Sequence, residues 1–253
     1  MTWQMIDFLQ ELKKCFDIKR LMDYEIPESK SICLLRHDVD LDIYAALKIG
    51  KIEYSLGIQS TYFMLHDAKY YGDKDFIKNC LKLQDMGHEI GFHNNLLAAA
   101  IKTKYNIKDA FEKEINYLRN NNLNICGTAA HGDPSCRGDH GRDKKDTFTN
   151  YEIFKECSPP YRERKEIFKD IKLHCLNLSD YGLYEAYFLP RDYYITDCRG
   201  TWRSVRGNSD EWDPEFRPNS PKFEDILPFL KEISINKVIV QVLLHPNPNL
   251  VEV

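Results

Sequence analysis

Strand-length apolar runs alternate with segments of helical periodicity through the first half of the chain, and this rhythm restricts the fold more than any other feature. "SICLLRH" (31–37) is followed by "LDIYAALKIGKIEYSLG" (41–57), where Ala45, Ala46, Ile49, Ile52 and Leu56 share one helical face. "IQSTYFML" (58–65), rich in β-branched and aromatic residues, precedes "DKDFIKNCLKLQDMG" (73–87), with Asp73 expected as N-cap and Gly87 as the C′ residue. "HEIGFH" (88–93), a helix at 106–122 opened by Asn106, and "ICGTAAH" (125–131) continue the pattern. Alternation of this kind predicts an α/β fold, a parallel sheet with helices outside, open or closed into a barrel. The second half is less regular. Strands are expected at "LYEAYFL" (183–189), "YYITD" (193–197) and "KVIVQVLLH" (237–245), with a helix over 221–233 opened by Pro221.

Polar residues fall where these runs end. The first run closes in Arg36-His37-Asp38-Val39-Asp40, three others close in His93, His131 and His245, and "YYITD" closes in Asp197. The carboxyl ends of parallel strands converge on one face of an α/β fold, where active sites are built. An Asp/His set there suits a divalent metal such as zinc, with a carboxylate left over as base and a histidine as acid. Each residue also has a plainer reading. Arg36 can pair one carboxylate while Asp40 or Asp42 caps the next helix, and His131 or His245 can serve a turn. His37 and His88 read as structural, because alternation along the strand turns His37 away from Asp38.

Composition narrows the function classes. The chain has 253 residues, 43% hydrophobic and 29% charged, which fits one large domain spanning 1–253. A net charge of -4 with no long basic run argues against a nucleic-acid partner. The first twenty residues have helical spacing with charges throughout, and no segment approaches about 18 uncharged apolar residues. Neither a signal peptide nor a membrane span is expected. The eight cysteines form no C-x-x-C pair, so reduced thiols in a cytoplasmic protein are expected.

The motifs "RHDVD" (36–40), "STYF" (60–63), "GHEIGFH" (87–93) and "QVLLHP" (241–246) together resemble the polysaccharide deacetylase (NodB-homology) superfamily of carbohydrate esterases. The resemblance spans 31–131 and, more loosely, 183–247. With "AHG" (130–132) it is similar to a branch found with surface-polysaccharide (O-antigen) genes. It implies a distorted (β/α) barrel, often seven-stranded, and metal-dependent removal of N-acetyl groups from sugars. It also implies Asp38 as the base, Asp40 and His93 as metal ligands and His245 as the acid, with zinc the expected metal. Family arginine and tryptophan positions map to Arg36, Arg199 and Trp202; these, with Asp197, are the expected substrate contacts. One departure stands out. The family's second metal histidine would fall four residues after His93, at Leu97, so His131 is the expected replacement, with Asn94 or Asn95 as possible oxygen donors.

Without an export signal, the implied substrate is a cytoplasmic N-acetylated precursor, nucleotide- or lipid-linked. Two rivals stand beside this reading: hydrolysis of another C–N bond, in a cyclic amide or formamide, and a non-catalytic glycan-binding descendant. A structural zinc set of Cys126, His131, Cys136 and His140 is a weaker alternative, because its spacing departs from common patterns. The polar loop 132–150 is long enough to be functional, while Tyr151, Tyr161, Tyr181, Tyr184 and Tyr187 are candidates to stack on sugars or simply to pack.

Overall fold

A computed structural model describes residues 5–26, 29–136, 148–157, 166–197, 201–207, 213, 216 and 222–247. The chain runs α1 (Met5–Cys15), β1 (Asp17–Lys19), β2 (Ile32–Val39), α2 (Ile43–Ser55), β3 (Thr61–Leu65), α3 (Phe76–Asp85), β4 (Glu89–Asn94), α4 (Leu96–Thr103), α5 (Ile107–Asn120) and β5 (Ile125–Ala130). Then follow β6 (Ile167–Phe168), β7 (Ile171–Lys172), β8 (Tyr184–Glu185), β9 (Tyr193–Thr196), β10 (Arg203–Arg206), α6 (Phe223–Ser234) and β11 (Ile239–Leu244). The main sheet has the order β10-β9-β11-β2-β3-β4-β5-β8, with β1 beside the start of β2. From β9 to β8 every pairing is parallel, and only β10 is antiparallel. The sheet curls into a half-barrel, so the α/β class is as expected.

Local chemistry explains the element ends. Asp42 caps α2 by accepting the amides of Tyr44 and Ala45, which leaves Asp40 free of that duty. Asn106 caps α5 in the same way, through the amides of Lys108 and Asp109. Gly87 follows α3 at φ +89°, a left-handed conformation that suits glycine. Asp73 is not a cap: a short 3₁₀ turn over Lys69–Gly72 comes first, and α3 begins later, at Phe76. The run 183–189 yields only the two-residue β8, because the chain turns away after Ala186. Pro221 lies outside the described residues; α6 starts at Phe223.

The outer face of the sheet carries most of the core, packing Phe92, Phe111, Leu97 and Ile115 against the helices. Within this layer lies a buried charge. Glu53 accepts hydrogen bonds from the Ser60 hydroxyl (2.6 Å) and the Tyr62 hydroxyl (2.7 Å), and sits 2.7 Å from His37 Nε2. His37 stacks on Tyr62, and His88 donates from Nε2 to the Gly50 carbonyl, so both histidines are structural, as expected. Their charge-neutralising neighbours hold the Glu53 carboxyl below its ordinary range despite burial that pushes it up.

The inner face is apolar toward the strands' starts, with Ile32, Leu34, Phe63, Ala129, Ala186 and Ile239 packed on Leu21. That end is closed by residues 20–24. Leu21 N–H donates to Thr61 Oγ1, Met22 N–H to Glu89, and the Tyr184 hydroxyl completes the Glu89 carboxyl. Polar groups at this end are thus tied into structure. Removing the Glu53 carboxylate takes the partner from Tyr62 and His37 and leaves the Ser60 hydroxyl only His88 Nδ1, so Glu53→Ala is expected to lose about 3–5 kcal/mol of stability in urea unfolding.

Candidate metal centre at the strand ends

Parallel register assembles the site. His37 pairs with Leu244, so His245 falls beside Asp38 at the ends of β11 and β2. Leu65 of β3 pairs with His93 of β4, and His93 pairs with Ala129 of β5. The β4–β5 pairing carries a one-residue irregularity between Ile90 and Phe92, where the partners jump from Ile125 to Thr128. A shift of one residue exchanges the two faces of a strand. Here it sets Ala129, and with it His131 two residues on, on the same face as His93. The ladder continues past β5 when His131 N–H donates to the Asn94 carbonyl.

Asp40 lies at the centre of three imidazoles. Its Oδ1 is 3.3 Å from His93 Nε2, and its Oδ2 is 3.7 Å from His131 Nε2 and 3.9 Å from His245 Nε2. The ligand atoms of Asp40, His93 and His131 all lie within 4.8 Å of one another. Two donors at about 2.0–2.1 Å on a tetrahedral zinc stand about 3.3 Å apart, so this set has the spacing of a metal site. His93 donates from Nδ1 to the Ala129 carbonyl (2.8 Å), which turns a lone pair on Nε2 inward, the usual support of a ligating histidine. Asp40 Oδ1 is buried without a hydrogen-bond partner. One carboxylate and two imidazoles, with an orphaned oxygen among them, fit a divalent cation.

Around this set stand two charged pairs. Asp38, 2% exposed, is gripped by Arg36 through Nε–Oδ1 (3.1 Å) and Nη2–Oδ2 (2.7 Å). Burial pushes the Asp38 carboxyl up, but Arg36, His93 and His245 together hold it below its ordinary range. Asp197 takes His245 from two sides, accepting from Nδ1 at 2.6 Å and from the backbone N–H at 3.1 Å. Burial opposes the imidazolium, yet Asp197, with Asp38 and Asp40, raises His245 to about 9. Asp40 is likewise lowered: burial is outweighed by His131 and His93.

Several expectations change. Arg36, expected at the substrate, is wholly buried beneath Asp38 and holds its carboxylate, with the guanidinium carbon 4.6 Å over the Tyr187 ring. Trp202 is packed among Phe8 and Phe223, its indole N–H donating to the Lys222 carbonyl. Asp197 orients His245 rather than reaching outward. Arg199 lies outside the described residues, as do Tyr161, His140 and the middle of the 132–150 loop. Leu97 is fully buried in α4. Asn94 and Asn95 are spent: the first oxygen accepts Leu96 N–H, and the second accepts from Asn150. Cys126 sits at the opposite end of β5 from His131, bonded to Asn124, which removes the Cys/His zinc alternative. Among the tyrosines, Tyr181 and Tyr184 bond Glu112 and Glu89, while Tyr151 packs on Tyr187 and Phe188.

Two residues escaped the sequence reading. His66 directly follows β3; it packs on Phe92, its Nε2 is buried without a hydrogen-bond partner, and burial lowers it to about 4. The strand-end rule that selected His93 would also have selected it. Glu185, on β8, is 1% exposed, and burial pushes its carboxyl up to about 8 against the pull of the Ala130 amide and Arg36. It carried no signal, being one acid inside an apolar run.

Comparison of the chain with protein-family models, with curated proteins and with solved structures finds no match.

Two measurements check this geometry. Purified protein is expected to hold a divalent metal stoichiometrically, and His93→Ala and His131→Ala each to lose it; full occupancy in the His131 variant would remove that ligand. Glu185 titrates higher folded than its ordinary value of about 4.5. Its contribution is therefore complete below that value and fades as pH rises toward about 8. Glu185→Gln, neutral throughout, is expected to gain stability relative to wild type between pH 5 and 8, read from urea midpoints.

Proposed function

We propose that the protein is a metal-dependent hydrolase of the polysaccharide deacetylase type, removing an N-acetyl group from a sugar or glycan precursor. The observation that carries this reading is one rim holding three things: a two-histidine, one-carboxylate donor set, a buried carboxylate held ionised, and a histidine held protonated. Titratable groups pushed apart in this way mark acid and base. The run of seven parallel strands from β9 to β8, with β1 added beside β2, supports the distorted barrel of that superfamily, which is part of the proposal.

Asp40, His93 and His131 would hold a divalent cation, zinc the first choice. Bound there, it would acidify a coordinated water and polarise the acyl carbonyl. Asp38 is the base. Arg36 fixes its orientation and keeps it ionised at neutral pH, at the cost of some basicity. His245 brings the proton for the departing amine, and Asp197 sets both its ring orientation and its charge. Arg36 and Asp197 are positioning residues. The substrate of this reading is a cytoplasmic N-acetylated sugar, nucleotide- or lipid-linked; the seven described cysteines, all unpaired, suit a reducing compartment.

The test is acetate release from N-acetylated sugar nucleotides by metal-loaded protein. Asp38→Asn is expected to keep the metal and lose at least about 10²-fold in turnover. Formate release or ring opening in place of acetate would reassign the bond. Glycan binding with no turnover in loaded protein would make it a binding descendant.

A further inference from the structure

Beside the carboxyl end of β5 lies a buried carboxyl group with two amide partners and no part in the chemistry proposed above. Glu185 pairs with Thr128 across the β5–β8 ladder. Its Oε1 accepts the amide of Ala130 at 3.1 Å and, more weakly, that of Tyr187 at 3.4 Å. Ala130 immediately precedes His131. Tyr187 receives a hydrogen bond from Arg36 Nη2 at 3.2 Å, and its ring centroid lies 4.6 Å from the guanidinium carbon; the guanidinium in turn grips Asp38. The β5–β8 ladder is only two residues long, so the strand pairing alone constrains the end of β5 weakly.

We propose that Glu185 is a positioning residue for both arms of the site, holding His131 through the Ala130 amide and the Arg36–Asp38 pair through Tyr187. One oxygen does this work. A neutral carboxyl and a glutamine carbonyl serve equally, since both accept the two N–H groups, whereas an ionised carboxylate would stand close to Asp38. Charge at this position is therefore dispensable and the acceptor is not. The inference rests on the reading of Asp40, His93 and His131 as metal ligands.

The experiment uses Co²⁺ as probe, with the full chain, reading both affinity and the ligand-field spectrum, which reports ligand geometry independently of turnover. Glu185→Gln is expected to reproduce the wild-type spectrum. Glu185→Met, of similar length without an acceptor, is expected to bind Co²⁺ about 10–100-fold more weakly, with altered bands. Should the methionine variant fail to unfold cooperatively, Glu185→Asp, one methylene too short to span both amides, takes its place with the same expectation. A wild-type spectrum and affinity in the acceptor-less or shortened variant would overturn the positioning role alone. No Co²⁺ bands in the wild type would overturn the metal reading and this inference with it.

Discussion

Parallel pairing of β11, β2, β3, β4 and β5 is the constraint on which everything else depends. Parallel strands all finish at one end of a sheet, so any residue just past a strand's last hydrogen bond meets its counterparts from neighbouring strands. Helices cover the outer face and residues 20–24 close the far end, where Thr61 and Glu89 find structural partners. At the C-terminal rim Asp40 Oδ1, His66 Nε2 and Arg36 Nη1 lie buried without hydrogen-bond partners, close to one another and to further ionisable groups. Burying groups of this kind is costly unless an interaction compensates, which is why this end reads as a site and the other as architecture.

Electrostatically, the rim divides into two supported charges around a third. Arg36 compensates Asp38 and Asp197 compensates His245, each through two hydrogen bonds that set orientation as well as charge. Asp40 has no such dedicated partner, only imidazoles at 3.3, 3.7 and 3.9 Å. These distances are long for hydrogen bonds and appropriate for ligands sharing an ion. The same contrast separates this cluster from the Glu53 network, where two hydroxyls and His37 engage the charge at 2.6–2.7 Å.

Much of this was legible from period and position. Asp38, Asp40, His93, His131 and His245 were selected because apolar runs ended in them, and parallel topology then required them to meet. Alternation assigns His37 to structure, and a place at the start of its strand assigns His88; their contacts with Glu53 and Gly50 agree. Arg36 and Trp202, expected as substrate contacts, both pack inward. Arg36 reaches forward along its own strand to Asp38, two residues on, as alternation permits. Trp202 follows a segment whose direction no periodicity announced, and it packs against α1. The caps show the same division: Asp42 and Asn106 sit at helix starts defined by hydrophobic phase, whereas a 3₁₀ turn displaced the start of α3 and left Asp73 outside it.

By itself the sequence determined the class of the fold, the strands that carry chemistry and the residue types at their ends, because period and burial are local properties of a chain. Tertiary structure decided which of those residues share a face. The irregularity between Ile90 and Phe92 brings His131 to the side of His93; without it, period-two counting would turn that imidazole outward. It also decided that Asp42, not Asp40, caps α2, and that a single acid of β8 reaches the backbone beside both halves of the site. These are outcomes of register and of one side chain meeting a distant amide, and neither is encoded in the periodicity of any one segment.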